Sequence, residues 1–258
     1  MPDSSAVLPA HRPYVLSPQR PAGADVAVLM LHGFTSGPAC VRPWAEGLAA
    51  GGLRVHAPLL PGHGTRWQDL AATSAHTLRA AVRDELDALL ADHEHVVVAG
   101  LSMGGALALD AAAHRPVRAV LVVNPALRFG HLLAPAAPLL KHVVASVSSI
   151  AGDVAAPGVR EAAYERTPVA GVAELGRIQR ATRRGLGRIT APVTVFRSAQ
   201  DAVVPQASHR CLLRGLDSAP VRVVPLPRSR HVATLDYDLP RIVAESLDAV
   251  AAAVPKGR

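Results

Sequence analysis

Over most of its 258 residues the chain alternates short, unbroken apolar runs with longer stretches in which apolar residues recur every three or four positions. Unbroken β-branched runs suit strands buried on both faces, and the longer period suits helices packed against them. Val26–Leu31 reads as the first strong strand and Arg54–Ala57 as the second. Residues 96–99 and Val117–Val123 follow, the latter ended by Asn124-Pro125, and Pro192–Phe196 and Val221–Leu226 come late in the chain. Between them the pattern predicts a helix over Pro38–Ala50, stopped by Gly51-Gly52. A second helix starts at Ser74, a capping residue, and puts Leu78, Val82, Leu86, Leu89 and Leu90 on one face. Further helices are predicted over 105–113, near 205–216 and near 239–253. Strands alternating with helices predict an α/β fold: a mostly parallel central sheet with helices on both faces. Residues 1–24 carry five prolines and read as an extended lead-in with an edge strand at Tyr14-Val15-Leu16.

The alternation breaks between about 126 and 186. That stretch has leucine and valine patterns of helical spacing and no clear strand. It reads as an all-helical insertion, a small helical cap at 126–186 on a core formed by 1–125 and 187–258. Its first part, Leu132 to Ile150, is apolar, and its last part carries Arg177, Arg180, Arg183, Arg184 and Arg188. Leu132, Leu133, Leu139, Leu140, Val143 and Val144 fall at near-helical spacing. They are expected either to bury the cap against the core or to line a pocket.

Composition narrows the class. Half the residues are apolar but only 3% are aromatic, so the core must be built of Val, Leu and Ala. The net charge is +7, nearly all of it arginine, since Lys141 and Lys256 are the only lysines. There is no nucleic-acid motif and no aromatic stacking platform, so the arginines read as a solvated surface, with no nucleic-acid partner expected. Cys40 and Cys211 lie far apart and form neither a disulfide framework nor a metal-ligand spacing. No metal and no cofactor are expected. No charged-then-apolar leader is visible, and no apolar run nears the roughly 20 residues that span a bilayer. A soluble, cytoplasmic protein is expected, with at most peripheral contact with lipid.

The chemistry gathers at Gly100-Leu101-Ser102-Met103-Gly104, a G-x-S-x-G pattern. Alone the pattern is weak. Here an apolar run precedes it and a small-residue helix follows, which is the strand–turn–helix context of a nucleophile elbow. Such a turn forces the serine backbone into a sparsely populated conformation, and Cβ atoms two positions either side would clash. A serine hydroxyl needs a base and a pair of oxyanion donors to act as a nucleophile. On such folds the partners follow in the order Ser, Asp or Glu, His. After the insertion only His209 and His231 remain; His209 falls inside a predicted helix and reads as a surface residue. His231 falls in the loop after the strand at 221–226. Of Asp110, Asp153, Asp201 and Asp217, only Asp201 directly follows a buried strand. It would fix the His231 tautomer and stabilise the imidazolium. The oxyanion donors would be the N–H groups of Met103 and of Phe34, in the loop after the first strand; His32 there reads as a structural hydrogen-bonder.

Leu31-His32-Gly33-Phe34-Thr35, Leu60-Pro61-Gly62-His63-Gly64, the elbow, Gln200-Asp201-Ala202-Val203-Val204 and Ser229-Arg230-His231-Val232-Ala233-Thr234-Leu235-Asp236 together resemble the bacterial carboxylesterase and monoacylglycerol lipase group of α/β-hydrolases. That resemblance implies the α/β-hydrolase fold, a Ser102–Asp201–His231 triad, an oxyanion hole at Phe34 and Met103, and a small helical cap where the insertion lies. It implies a serine carboxylester hydrolase that forms an acyl-enzyme on short- to medium-chain acyl esters. A serine at the elbow argues against epoxide hydrolase and haloalkane dehalogenase chemistry, which use Asp, and against a thiol mechanism. A thioesterase or acyltransferase would use the same triad. A binding protein on a hydrolase fold would be expected to lack one of these parts, and none is missing.

Overall fold

The computed structural model describes residues 7–18, 25–131, 133–149 and 151–254. Its strands in chain order are β1 (Tyr14–Leu16), β2 (Val26–Leu31), β3 (Arg54–Ala57), β4 (His95–Leu101), β5 (Ala119–Val123), β6 (Ser146–Ser148), β7 (Arg166–Pro168), β8 (Val193–Ser198) and β9 (Val221–Leu226). The helices are α1 (Arg42–Ala50), α2 (Trp67–Ala72), α3 (Ala75–Asp92), α4 (Met103–Ala112), α5 (Ala137–Leu140), α6 (Val169–Gly185), α7 (Gln206–Gly215) and α8 (Leu239–Ala253). Seven strands form one sheet in the order β1-β3-β2-β4-β5-β8-β9. All neighbours are parallel except β1, which runs antiparallel on the outside of β3.

The unbroken apolar runs end up where that pattern requires. Every residue of β2, β4 and β5 is buried, because helices cover both faces of a parallel sheet. Successive side chains point to opposite faces, so each strand feeds two cores. Ala27, Leu29 and Leu31 pack with Leu78, Val82, Leu86 and Leu89 of α3. Val28 and Met30 pack on the other face with Trp44 and Leu48 of α1 and Ile242 and Val250 of α8. Ser74 caps α3 by accepting the Thr77 N–H at 3.0 Å. Leu90, expected on the same face as its neighbours, is half-buried.

Two expectations are corrected. The helix expected over Pro38–Ala50 is a 3-10 turn, Pro38–Val41, followed by α1. Pro43 has no N–H to donate to the preceding turn, so the helical ladder restarts there. The inserted segment is also not all-helical. It holds the four-residue α5, the long α6, and the antiparallel pair β6–β7, in which Val147 faces Thr167. The tract Val143–Ser149 is rich in Val and Ser, which lose rotamer freedom in a helix or compete for its backbone hydrogen bonds, and so it favours extended chain. Four of the apolar residues singled out there, Leu133, Leu139, Val143 and Val144, are exposed rather than buried in the core. Leu133, Leu139 and Val143 are 63%, 79% and 80% exposed, while Leu140 alone of the group packs beside Ala137 and Val169. Leu132 and Ile150 lie outside the described residues.

Candidate active site

β4 runs buried to Leu101 and passes into α4 with a single residue between, Ser102. That residue has φ 56° and ψ −113°, a conformation costing on the order of 1–3 kcal/mol for a side chain with a Cβ. Its surroundings hold it there. The Ser102 N–H donates to Val123 O at 3.0 Å, and its carbonyl accepts the N–H groups of Ala106 and Ala126, both at 3.0 Å. The flanking glycines are required by contact distances. A Cβ on Gly100 would lie 2.4 Å from the Gly104 carbonyl, and one on Gly104 would lie 2.2 Å from Leu31 O.

Asp201 follows β8 by three residues, and its side chain is fully buried. Oδ1 accepts the N–H groups of Val203 and Val204, each at 2.9 Å, and Oδ2 accepts from Arg197 Nη1 at 2.7 Å. His231 Nδ1 lies 3.1 Å from Oδ1. Burial alone would raise the Asp201 pKa, but the hydrogen bond and charge of His231, with the Val204 and Val203 N–H groups, outweigh it and hold the carboxyl below its ordinary value. An ionised carboxylate only accepts, so Nδ1 donates and Nε2 of the neutral ring is left as a proton acceptor.

Ser102 and His231 meet through β5. Asn124, at φ 44°, donates from Nδ2 to His231 O at 2.8 Å and to Ser198 Oγ at 2.8 Å, and its Oδ1 accepts the Ser198 N–H at 2.9 Å. One side chain thus joins β5, β8 and the histidine loop, next to the carbonyl that holds the elbow. Read in sequence, Asn124 is only the turn that ends a strand; its Asn-Pro step after a buried run is the signal that was available. No direct hydrogen bond joins Ser102 Oγ to His231 among the described residues. Such contacts commonly close only with substrate in place.

The loop after β2 passes beside the serine. A Cβ on Gly33 would sit 3.9 Å from Ser102 Cβ. Among the described residues, the N–H groups of Phe34 and Met103 find no protein acceptor. Met103 opens α4, where the helix presents free N–H groups and its positive dipole end. His32 is structural: Nδ1 donates to Gly33 O at 2.9 Å and Nε2 accepts the Leu60 N–H at 3.0 Å. Burial first, then His63, holds its pKa well below the ordinary histidine value. The inserted segment braces the same loop from outside. Tyr164 N–H donates to Thr35 O at 2.9 Å, and its hydroxyl donates to Gly62 O at 2.8 Å.

The other candidates lie elsewhere. Asp110 is buried in a two-pronged pair with Arg79, at 2.8 and 2.9 Å. Asp217 is exposed, and His209, expected at the surface, is half-buried on α7. Two adjoining cavities of about 380 and 410 Å³ share Arg128, Arg183 and Ala207, and neither is lined by Ser102, Asp201 or His231. Among the described residues, no group of three His, Cys, Asp or Glu is arranged to hold a metal ion.

Residues 28–254 match the alpha/beta hydrolase family. The chain is 38% identical over 241 residues to the thermostable monoacylglycerol lipase of Bacillus sp. (strain H-257), covering 91% of this chain and 95% of that one. It is 25% identical over 224 residues to a carboxylesterase of Bacillus subtilis (strain 168), covering 84% and 88%. A solved structure from work on the metagenome-derived lipolytic enzymes LipS and LipT superposes with a TM-score of 0.89 at 32% identity, over 96% of this chain and all of that one.

Proposed function

The chain belongs to the alpha/beta hydrolase family and is a carboxylester hydrolase, and on that premise we propose that it works through Ser102, His231 and Asp201 by way of an acyl-enzyme. One observation carries this reading above the others: a buried, ionised Asp201 bonded to His231 Nδ1, on loops tied to the strained Ser102 elbow. In the first half-reaction Ser102 Oγ attacks the ester carbonyl as His231 Nε2 takes its proton. The tetrahedral oxyanion lies between the N–H groups of Phe34 and Met103. A single donor of this kind contributes about 3–4 kcal/mol to the transition state. The imidazolium then hands its proton to the leaving alcohol. In the second half-reaction His231 takes a proton from water as it attacks the acyl-serine, then hands that proton to the departing Ser102 Oγ, which frees the acid and restores the neutral ring. Asp201 stays ionised and balances the imidazolium charge.

By likeness to the Bacillus sp. relative, the substrate is a monoacylglycerol or a similar ester of a small alcohol, and we expect a short to medium acyl chain. The segment 126–186 acts as the cap over the acyl site. It is packed for that role: Gly171 of α6 lies so close to Phe34 that a Cβ there would come within 3.1 Å of the ring.

An ester panel from acetyl to palmitoyl, run beside monoacylglycerols, tests both levels. The rise in kcat/KM per added methylene should reach up to about fourfold, from about 0.8 kcal/mol of burial each, until the chain meets the end wall. Ser102→Ala should cost on the order of 10³ to 10⁶ in kcat and abolish labelling by a fluorophosphonate. Asp201→Asn should cost roughly 10⁴ while Asp217→Asn stays near wild type. A Ser102→Ala variant that keeps a tenth of the activity rules out the nucleophile.

A further inference from the structure

The inserted segment sends one carboxylate into the seam between the loops that carry Asp201 and His231. Asp153 Oδ2 accepts the N–H of Ala202 at 3.1 Å and that of His231 itself at 3.2 Å. The Asp153 backbone carbonyl accepts the Val232 N–H at 3.1 Å. The Asp153 side chain is only 15% exposed, and Arg230 Nη1 stands 3.9 Å from its Oδ1. A second acid closes the seam from the other side. Asp236 accepts the N–H groups of Ala155 and Ala156 from the insertion, at 2.8 and 3.1 Å, and that of Arg230 at 2.9 Å.

We propose that Asp153 is a positioning residue for the ester hydrolysis: by holding the N–H groups of Ala202 and His231 on one oxygen, it sets the spacing of the two catalytic loops and couples that spacing to the inserted segment. The proposal rests on the reading of Ser102, His231 and Asp201 as the triad. The His231 peptide is gripped on both sides, its carbonyl by Asn124 from the sheet and its N–H by Asp153 from the insertion. Asp201 is braced by its own turn and by Arg197, but the residue after it hangs on Asp153. The Nδ1–Oδ1 contact of 3.1 Å lies near the long end of the hydrogen-bond range, so a small separation of the loops weakens it. Hydrogen bonds to an ionised carboxylate are the stronger kind, which suits a tie between two loops.

A role in folding alone makes a different forecast from a role in positioning, and a soluble short-chain ester separates them. Asp153→Ala is expected to lower kcat on the order of 10- to 100-fold with KM held within about twofold. Asp153→Asn keeps an oxygen that accepts both N–H groups and is expected to restore most of kcat. Asp153→Glu keeps the charge, displaces the oxygen by one methylene and is expected to behave like the alanine variant. Should Asp153→Ala fail to fold, the Asn and Glu variants carry the comparison. Wild-type kcat in every folded variant overturns the proposal, as does a loss of thermal stability with kcat unchanged. Ser102→Ala and Asp201→Asn run in the same assay. If they are inactive while every Asp153 variant keeps wild-type kcat, the positioning role fails and the triad stands; if they are active, the triad reading fails and the positioning role with it.

Discussion

Close to the loop that carries Phe34, three buried histidines, His11, His32 and His63, lie together. His32 and His63 meet edge to face with ring centroids 5.0 Å apart, and His63 stacks on Tyr164 at 6.5 Å. His11 is buried close by. Burial lowers the pKa of all three, and for His63 it does so from 6.5 to about 4. The native rings therefore stay neutral while the unfolded chain takes up protons below about 6.5. Stability is fully present above that value and is lost as pH falls toward 4, because the unfolded state binds more protons across the window. At about 1.4 kcal/mol per pKa unit, His63 alone contributes on the order of 3 kcal/mol of this loss. Urea midpoints should drop steeply between pH 7 and 4.5, and His63→Phe should flatten that slope while lowering stability at pH 7.5. A wild-type midpoint that stays level over the range speaks against neutral burial. The Asp201 contribution has the same sign in a lower window. Its folded pKa is depressed, so it is present above the unfolded carboxyl value and lost only below it.

At the scale of elements, the elbow is a junction of three backbones. A Cβ on Gly104 meets Leu31 O at 2.2 Å and His32 O at 2.6 Å, so an alanine there pries α4 off β2 just where the loop that carries Phe34 begins. Leu31 O belongs to the last residue of β2 and His32 O to the first residue of the loop after it. Gly105 is looser, with its nearest neighbours, Gly100 O and Pro125 Cβ, at 3.1 Å. Gly104→Ala is expected to cost about 3 kcal/mol or more and most of the activity, Gly105→Ala about 1 kcal/mol. Equal urea midpoints for the two variants would show that the junction yields. Elsewhere the elements follow local pattern closely. Five of them, β1, β2, β3, β9 and α8, have the bounds read from the sequence. The inserted segment departs from its pattern, because leucines at helical spacing are interrupted by Pro135 and Pro138 and then by the Val/Ser tract of β6.

Across the whole molecule, charge and chemistry are kept apart. Arg128, Arg180, Arg183, Arg210 and Arg214 line the two cavities beside α6 and α7, and Arg183, half-buried, donates to Leu127 O at 2.6 Å. Burial, outweighing Cys211, and then the charges of Arg128, Arg180 and Arg184 lower the Arg183 pKa. None of Ser102, Asp201 and His231 lines that basic face. No helix among the described residues is long and apolar enough to cross a membrane. The exposed apolar residues of the inserted segment stand on the surface as well, so Leu139→Ala should leave the acyl-length profile within about twofold of wild type. Leu140 packs beside α6, and Leu140→Ala should lower the melting temperature, by the loss of about 1–2 kcal/mol of partial burial. A shift of the preferred chain length by Leu139→Ala would place that residue over the acyl site instead.

Local pattern determined a great deal here by itself. The strand runs, the Ser74 cap and the two elbow glycines are each written within windows of ten residues or fewer. Over such spans backbone sterics and side-chain periodicity decide the outcome. The supports of the site are of another kind. Asn124 holds His231 across 107 residues, Asp153 reaches it across 78, and Tyr164 bridges to Gly62 across 102. Each is an ordinary polar residue joined to a backbone group far along the chain. Nothing near it in sequence distinguishes it from a solvated turn. Whether such a side chain meets a peptide N–H or carbonyl depends on where the sheet brings separate loops together, and only the folded chain decides that.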